Sequence, residues 1–235
     1  MQSPEKTSVT DEKKPDTQAA FIDMVEFAVV IAAAAGCLLC INLVFPARWH
    51  WWSIPVLWIA AAGFPTILRG RNRRDLGLTL SPLGFSLKIL FLTCLMVFPL
   101  IYVLLSLWKW LGLGLPAINQ IPRDGWLPWL LYQFLYVAVA EEIFFRGYVL
   151  GRLHRLPTSL SSRHPRVWQG IGILISALIF ALFHVLQAGG IPALLTFFPA
   201  LVFGWLLVYT RSLVAPVLFH GLANLFYALA LPTLT

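Results

Sequence analysis

Charged side chains are scarce in this 235-residue chain. Only 11% of the residues are Asp, Glu, Lys or Arg, whereas 59% are hydrophobic, and the mean hydropathy is +0.80. Soluble domains are about 25% charged, so the composition excludes an ordinary soluble protein. Each transmembrane helix needs about 20 residues, and the length suits a single bundle of about seven helices. The predicted fold class is an all-α polytopic transmembrane bundle.

Cysteine is also rare. The three cysteines, Cys37, Cys40 and Cys94, all lie within apolar segments. This placement argues against a disulfide framework or a zinc knuckle, and it favours small packing residues. Internal repeats are missing as well, which disfavours a transporter built from inverted repeats.

The first 20 residues contain no apolar run. They are polar with mixed charge, and we predict that residues 1–20 form a disordered cytoplasmic N-terminus. The first apolar segment, 21–45, is longer than the core of a signal peptide, so we expect it to remain as a membrane anchor. The rest of the chain, 21–235, is then one transmembrane domain.

Seven apolar segments follow one another along the chain. They span residues 21–45, 49–68, 86–111, 127–150, 168–188, 191–209 and 212–232. Very short connections separate the last three segments, so these helices are expected to be antiparallel neighbours. Pro199 and Pro216 lie inside the sixth and seventh segments, where a proline predicts a kink or local unwinding.

The basic residues between these segments favour one side of the membrane. With the N-terminus in the cytoplasm, twelve of them face inside: Lys6, Lys13, Lys14, Arg69, Arg71, Arg73, Arg74, Arg152, Arg155, Arg163, Arg166 and Arg211. Only Arg48, Lys109 and Arg123 face outside. This asymmetry predicts a cytoplasmic N-terminus, and it explains the formal charge of +7 without any nucleic-acid partner. A tryptophan belt near the predicted outer face favours a bacterial inner membrane.

Three charged side chains occur inside the fourth apolar segment. Residues 127–150 are apolar except for Gln133, Glu141, Glu142 and Arg146. An ionisable side chain at bilayer depth costs at least ~2.5–3.5 kcal/mol, so this group needs a function or a partner. Glu142 and Arg146 are about one helical turn apart and can form an ion pair, whereas Glu141 is rotated by about 100° and can face another helix.

Two other segments carry chemically capable side chains. Phe180 and His184 are four residues apart in the fifth segment, and His220 and Asn224 are four apart in the seventh. Together with Glu141 they could form a buried hydrolytic site. A desolvated carboxylate suits a general base toward water, a histidine can share that water, and a second histidine with an asparagine amide can stabilise an oxyanion. No serine or cysteine is placed as a plausible nucleophile.

Three motifs occur in order on these late segments: Glu141-Glu142-x-x-x-Arg146, Phe180-x-x-x-His184 and His220-x-x-x-Asn224. Together they resemble the motifs of the CPBP family of intramembrane proteases. This family, also called ABI, includes the Ras-converting CAAX endopeptidases. The resemblance covers roughly residues 127–229, which we take as the catalytic core.

The resemblance implies a role for each motif residue. Glu141 and His184 would activate a water molecule, and His220 and Asn224 would form the oxyanion site. The other motif residues would support this geometry: Glu142, Arg146 and Phe180. Members of the family act on prenylated C-terminal peptides, bacteriocin-like peptides or proteins with C-terminal sorting tails, and some are known only as regulators or scaffolds.

The predicted function is therefore an intramembrane endopeptidase of the glutamic type, acting on a membrane-anchored protein or peptide within the lipid bilayer. No cofactor is favoured. A zinc site formed by Glu141, His184 and His220 is the alternative, although the His-Glu-x-x-His signature is absent. Two other classes stay open: a non-catalytic scaffold or regulator that binds a helix in the same cavity, and a less favoured proton-coupled transporter.

Overall fold

The structure is a computed structural model, and it describes residues 17–79, 83–112, 121–122, 124–156, 163–188 and 190–234. Within these ranges the chain is helical and has no β-strand, so the prediction of an all-α bundle is confirmed. Six of its helices are long and apolar enough to cross a membrane. The chain is therefore an integral membrane protein.

The seven predicted segments correspond to seven successive helices. The first three are α1 (Thr17–Val44), α2 (Ala47–Leu68) and α3 (Leu83–Trp110). The fourth, α4, runs over residues 126–155. The last three are α5 (Pro165–Ala188), α6 (Phe197–Thr210) and α7 (Val214–Leu234).

The first helix begins earlier than the sequence predicts. Helix α1 starts at Thr17, so the prediction of a disordered segment is wrong for residues 17–20, while residues 1–16 lie outside the described ranges. Gln18 and the two alanines after it have high helix propensity and extend the apolar helix by one turn.

Helix α4 is not a regular α-helix. Its α-helical turns are Trp126–Leu131, Val139–Glu142 and Gly151–Arg155, and the stretches Tyr132–Ala138 and Ile143–Leu150 are π-helical. The six membrane-spanning candidates do not include α4, whose regular turns are short. The two glutamates thus lie in a four-residue α-helical piece between two wider turns. Such π-helical turns are rare and often mark functional sites.

The prolines of the last two segments lie near helix starts. The sixth segment begins with a 3₁₀-helix, Ile191–Thr196, and Pro199 lies in the first turn of α6. Pro216 likewise lies in the first turn of α7, which continues unbroken past it. A proline costs little there because the first N–H groups of a helix have no intrahelical acceptor. Neither proline therefore interrupts its helix with local unwinding, and the departure from α-helix in the sixth segment is the tighter 3₁₀-helix before α6.

An aromatic cluster packs α4 between α2 and α5. The Trp58 ring centroid on α2 lies 5.1 Å from that of Phe144, 5.2 Å from Phe145 and 5.3 Å from Phe183. All four side chains are buried. Aromatic pairs at these separations add about 0.5–1.5 kcal/mol each beyond the area that they bury. The cluster fixes the part of α4 that follows directly after the two glutamates.

The cysteines are free thiols, as predicted. Cys37 and Cys40 are exposed and Cys94 is half-buried. Cys37 and Cys40 therefore lie on a face of α1 that points away from the other helices.

An ion-pair network joins three parts of the chain at one end of the bundle. Glu26 of α1 pairs with Arg71 at 2.6 Å and with Arg69 at 2.9 Å, and Asp23 pairs with Arg152 of α4 at 2.7 Å. The hydrogen bond to Glu26 raises the pKa of the Arg71 guanidinium. The start of α1, the loop after α2 and the end of α4 therefore share one end, as the alternating topology requires.

Aromatic side chains mark the opposite end. The Tyr132 hydroxyl donates to the Trp51 carbonyl at 2.6 Å, and the Tyr136 hydroxyl donates to the Trp52 carbonyl at 3.1 Å. The rings of Trp51 and Tyr132 are 5.0 Å apart. The start of α2 and the start of α4 therefore lie together, on the predicted outer side.

The orientation in the membrane can be tested by labelling with a membrane-impermeant maleimide. In a background without Cys37, Cys40 and Cys94, we expect intact cells to label Asp124→Cys and to leave His164→Cys unlabelled until the membrane is permeabilised. Both positions are exposed, so accessibility within the protein is matched. Labelling of His164→Cys from outside intact cells would show that the predicted topology is inverted.

Candidate active site

The predicted ion pair lies in the bundle interior. Arg146 Nη1 donates to Glu142 Oε1 at 3.1 Å, and the two side chains are 1% and 0% exposed. Arg146 Nη2 also donates to the Ala200 carbonyl at 3.3 Å. Burial of this guanidinium is thus offset by a carboxylate and a carbonyl from two different helices.

Two aromatic rings, with planes nearly perpendicular to each other, pack against the same guanidinium. The Arg146 Cζ atom lies 4.4 Å from the Phe180 centroid and 4.7 Å from the Phe203 centroid, within the range of cation–π attraction. Each ring also packs against a histidine. The ring centroids of Phe180 and His184 are 4.2 Å apart, and those of Phe203 and His220 are 4.8 Å apart with an interplanar angle of 14°. Arg146 and both histidines are therefore positioned by one pair of phenylalanines.

The Nδ1 atoms of both histidines have fixed partners. His184 Nδ1 lies 3.0 Å from the Phe180 carbonyl oxygen, which can only accept, so this nitrogen carries the proton. His220 Nδ1 lies 2.8 Å from Glu142 Oε1, and a carboxylate paired with arginine also accepts. Because each Nδ1–H is used in this way, each Nε2 atom is left to face another group.

The group that both histidine Nε2 atoms face is the Glu141 carboxylate. Its Oε2 atom lies 3.8 Å from His220 Nε2 and 3.9 Å from His184 Nε2. These separations are too long for direct hydrogen bonds and are suited to a bridging water. The Glu141 side chain is buried, and Oε2 has no hydrogen-bond partner among the described residues. Buried polar atoms of this kind are rare in native proteins and call for an explanation.

Asn224 lies one helical turn beyond His220 and faces another residue of α4. Its Nδ2 atom donates to Gln133 Oε1 at 3.0 Å. Between these two positions, Gly221 lets α7 approach α4 closely, because a Cβ atom there would lie 2.5 Å from the Phe134 ring. Any larger residue at position 221 would have to displace the Phe134 ring.

The structure thus brings together the residues that the three motifs predict. Glu141, Glu142, Arg146, Phe180, His184 and His220 form one connected cluster, and Asn224 joins α4 through Gln133. Sequence reasoning missed two members of this cluster. Gln133 was visible as the uncharged polar exception in residues 127–150, whereas Phe203 carries no signal that separates it from the many other aromatic residues.

The alternative zinc set can be compared with this geometry. Two histidine Nε2 atoms and one carboxylate oxygen, with each Nδ1 hydrogen-bonded to an acceptor, have the donor chemistry of a zinc site. Ligand atoms around a tetrahedral zinc ion lie about 3.3 Å apart, which is about 0.5 Å closer than Glu141 Oε2 lies to either nitrogen. No three metal-ligating side chains in the described residues are arranged to hold an ion.

Residues 123–226 match the model of a protein family described as type II CAAX prenyl endopeptidase Rce1-like. The match covers every residue of the cluster and confirms the resemblance to the CPBP family over this part of the chain. It implies protease activity of the CAAX endopeptidase type. No curated protein and no solved structure in the comparisons matches the chain.

Proposed function

We propose that the chain is an intramembrane endopeptidase in which Glu141 activates a water molecule. The observation that supports this role is the position of Glu141 Oε2, which is buried without a hydrogen-bond partner among the described residues and is faced by two histidine nitrogens from other helices. A water molecule that donates to this oxygen would satisfy it and would stand beside a general base.

The first chemical step follows from these positions. The water donates one hydrogen bond to Glu141 Oε2 and the other to His184 Nε2, so its lone pair points toward the scissile carbonyl. As the water oxygen attacks the carbonyl carbon, its proton passes to Glu141 and the carbonyl electrons move onto the oxygen. The oxyanion then re-forms the carbonyl, the carbon–nitrogen bond breaks, and Glu141 gives the same proton to the leaving nitrogen, which restores its carboxylate and releases a carboxylic acid and an amine.

The oxyanion of this intermediate needs hydrogen-bond donors. His220 lies between the two carboxylates, with Nδ1 2.8 Å from Glu142 Oε1 and Nε2 3.8 Å from Glu141 Oε2, and we assign it the form in which both ring nitrogens carry a proton. His220 Nε2–H is then a donor, and the amide of Asn224 supplies a second. Each such donor is worth about 10²–10³ in turnover.

The substrate is proposed to be a protein or peptide that an apolar anchor holds in the bilayer. An apolar groove of about 260 Å³ lies between α2 and α4 and is lined by Pro55, Val56, Ile59, Leu135, Tyr136 and Ala140, among others. Ala140, one of the lining residues, directly precedes Glu141 in α4. The match to prenyl endopeptidases supports this substrate class.

The proposal can be tested with a farnesylated CAAX peptide in liposomes that contain the purified protein. We expect cleavage by the wild type and none above background by Glu141→Gln. Peptide binding without cleavage by either protein would favour the scaffold, and proton flux across the liposome membrane without cleavage would favour the transporter.

Metal dependence forms a separate prediction. We expect cleavage to survive dialysis against a strong chelator, because the proposed water is held by Glu141 and His184 themselves. Metal content by elemental analysis and thermal stability of the dialysed protein provide readouts that do not depend on activity. Loss of cleavage after dialysis, with recovery on addition of one equivalent of zinc, would instead assign Glu141, His184 and His220 to a metal site.

A further inference from the structure

Gln133 lies outside the three motifs, yet its side chain contacts one of their members. It is buried in the first π-helical stretch of α4, and its Oε1 atom accepts a hydrogen bond of 3.0 Å from Asn224 Nδ2. We propose that Gln133 is a positioning residue that fixes the orientation of the Asn224 amide for catalysis. This inference rests on the proposed function, in which Asn224 donates to the oxyanion.

An acceptor at Gln133 can fix the orientation of Asn224 because the two ends of an asparagine amide differ in hydrogen bonding. Its NH₂ group can donate two hydrogen bonds, whereas its carbonyl oxygen can only accept. A rotation of 180° about the last side-chain bond would exchange the two and present an oxygen to the developing oxyanion. An acceptor at Gln133 Oε1 selects the orientation in which Nδ2 faces α4. One N–H of Asn224 is thereby engaged, and the other keeps a fixed direction.

The backbone around this pair is also held in place. Gly221 contacts Phe134, the residue after Gln133, and His220 on the same helix is tied to Glu142 at 2.8 Å. Helices α4 and α7 are therefore linked at three successive levels, and the Gln133–Asn224 bond is the outermost of them on the proposed topology. Donors that are held in position before the reaction stabilise an oxyanion most effectively.

The test is a double-mutant cycle on cleavage of the farnesylated CAAX peptide in liposomes. Gln133→Met keeps the volume of the side chain and removes the acceptor, and we expect it to lower kcat by about 10–100-fold with little change in KM. Asn224→Ala should lower kcat by about 10²–10³-fold. The double variant should be no slower than Asn224→Ala alone, because an acceptor has nothing to orient once the amide is gone.

A matched control separates positioning from stability. Ser176→Ala removes another buried interhelical hydrogen bond, from Ser176 Oγ to the Phe145 carbonyl at 3.0 Å, and it should lower the unfolding temperature without changing kcat. If Gln133→Met also left kcat unchanged, or if its effect multiplied with that of Asn224→Ala, Gln133 would be an interhelical contact only. Failure of the wild type to show Glu141-dependent cleavage would instead overturn the proposed function, and this inference with it.

Discussion

Glu141→Gln is expected to lower turnover by ~10²–10⁴-fold or more while the protein remains folded. Glutamine has the same shape as glutamate and still forms hydrogen bonds, but it cannot take a proton from water. The fold should tolerate the change because Glu141 Oε2 has no hydrogen-bond partner among the described residues, and no ion pair shorter than 3.8 Å involves this side chain. Purified wild type and variant should therefore unfold at similar temperatures and differ only in kcat.

The loss of turnover in His184→Ala should be compared with that in Glu141→Gln. In the proposed mechanism His184 Nε2 holds the same water as Glu141 Oε2, so the two changes act on one transition state and their effects should not multiply in the double variant. Equal cleavage by wild type and Glu141→Gln would exclude Glu141 as the base.

Much of the fold could be predicted from composition and periodicity. Each of the seven apolar segments became a helix, because a long apolar run in a bilayer can satisfy its backbone only internally. The widening of α4 into π-helical turns could not be predicted, since residues 132–138 and 143–150 have no proline or glycine pattern that distinguishes them from a regular helix. That feature depends on contacts with neighbouring helices.

The site was predictable to the extent that its polar residues stand out against an apolar background. The Glu142–Arg146 pair follows from i, i+4 spacing alone. The contact of His220 Nδ1 with Glu142 does not, because 78 residues separate the two and only the packing of α7 on α4 brings them together. Phe203 shows the same limit: its stacking on His220 depends on how α6 is rotated.

Glu142 contacts both Arg146 and His220, so it has one role in stability and another in catalysis, and the two roles can be tested separately. Its Oε1 atom lies 3.1 Å from Arg146 and 2.8 Å from His220, and all three side chains are buried. We expect Glu142→Gln to destabilise the protein by ~3–5 kcal/mol, because it leaves a buried guanidinium without a charged partner. Thermal unfolding in detergent measures this loss. The exposed pair of Asp75 and Arg155 is the control, and Asp75→Asn should cost no more than about 1 kcal/mol.

The double variant Glu142→Leu with Arg146→Met should recover part of the stability, since an apolar pair of similar volume removes both buried charges. Cleavage should stay low, because His220 Nδ1 would still lack its acceptor and the ring would no longer be held toward Glu141. Stability and turnover would therefore separate: the first depends on the charge pair, and the second on the carboxylate that orients His220. Recovery of both together would mean that Glu142 serves only to neutralise Arg146. If Glu142→Gln were as stable as the wild type while Arg146→Ala unfolded, the buried guanidinium would depend on its aromatic and carbonyl contacts instead.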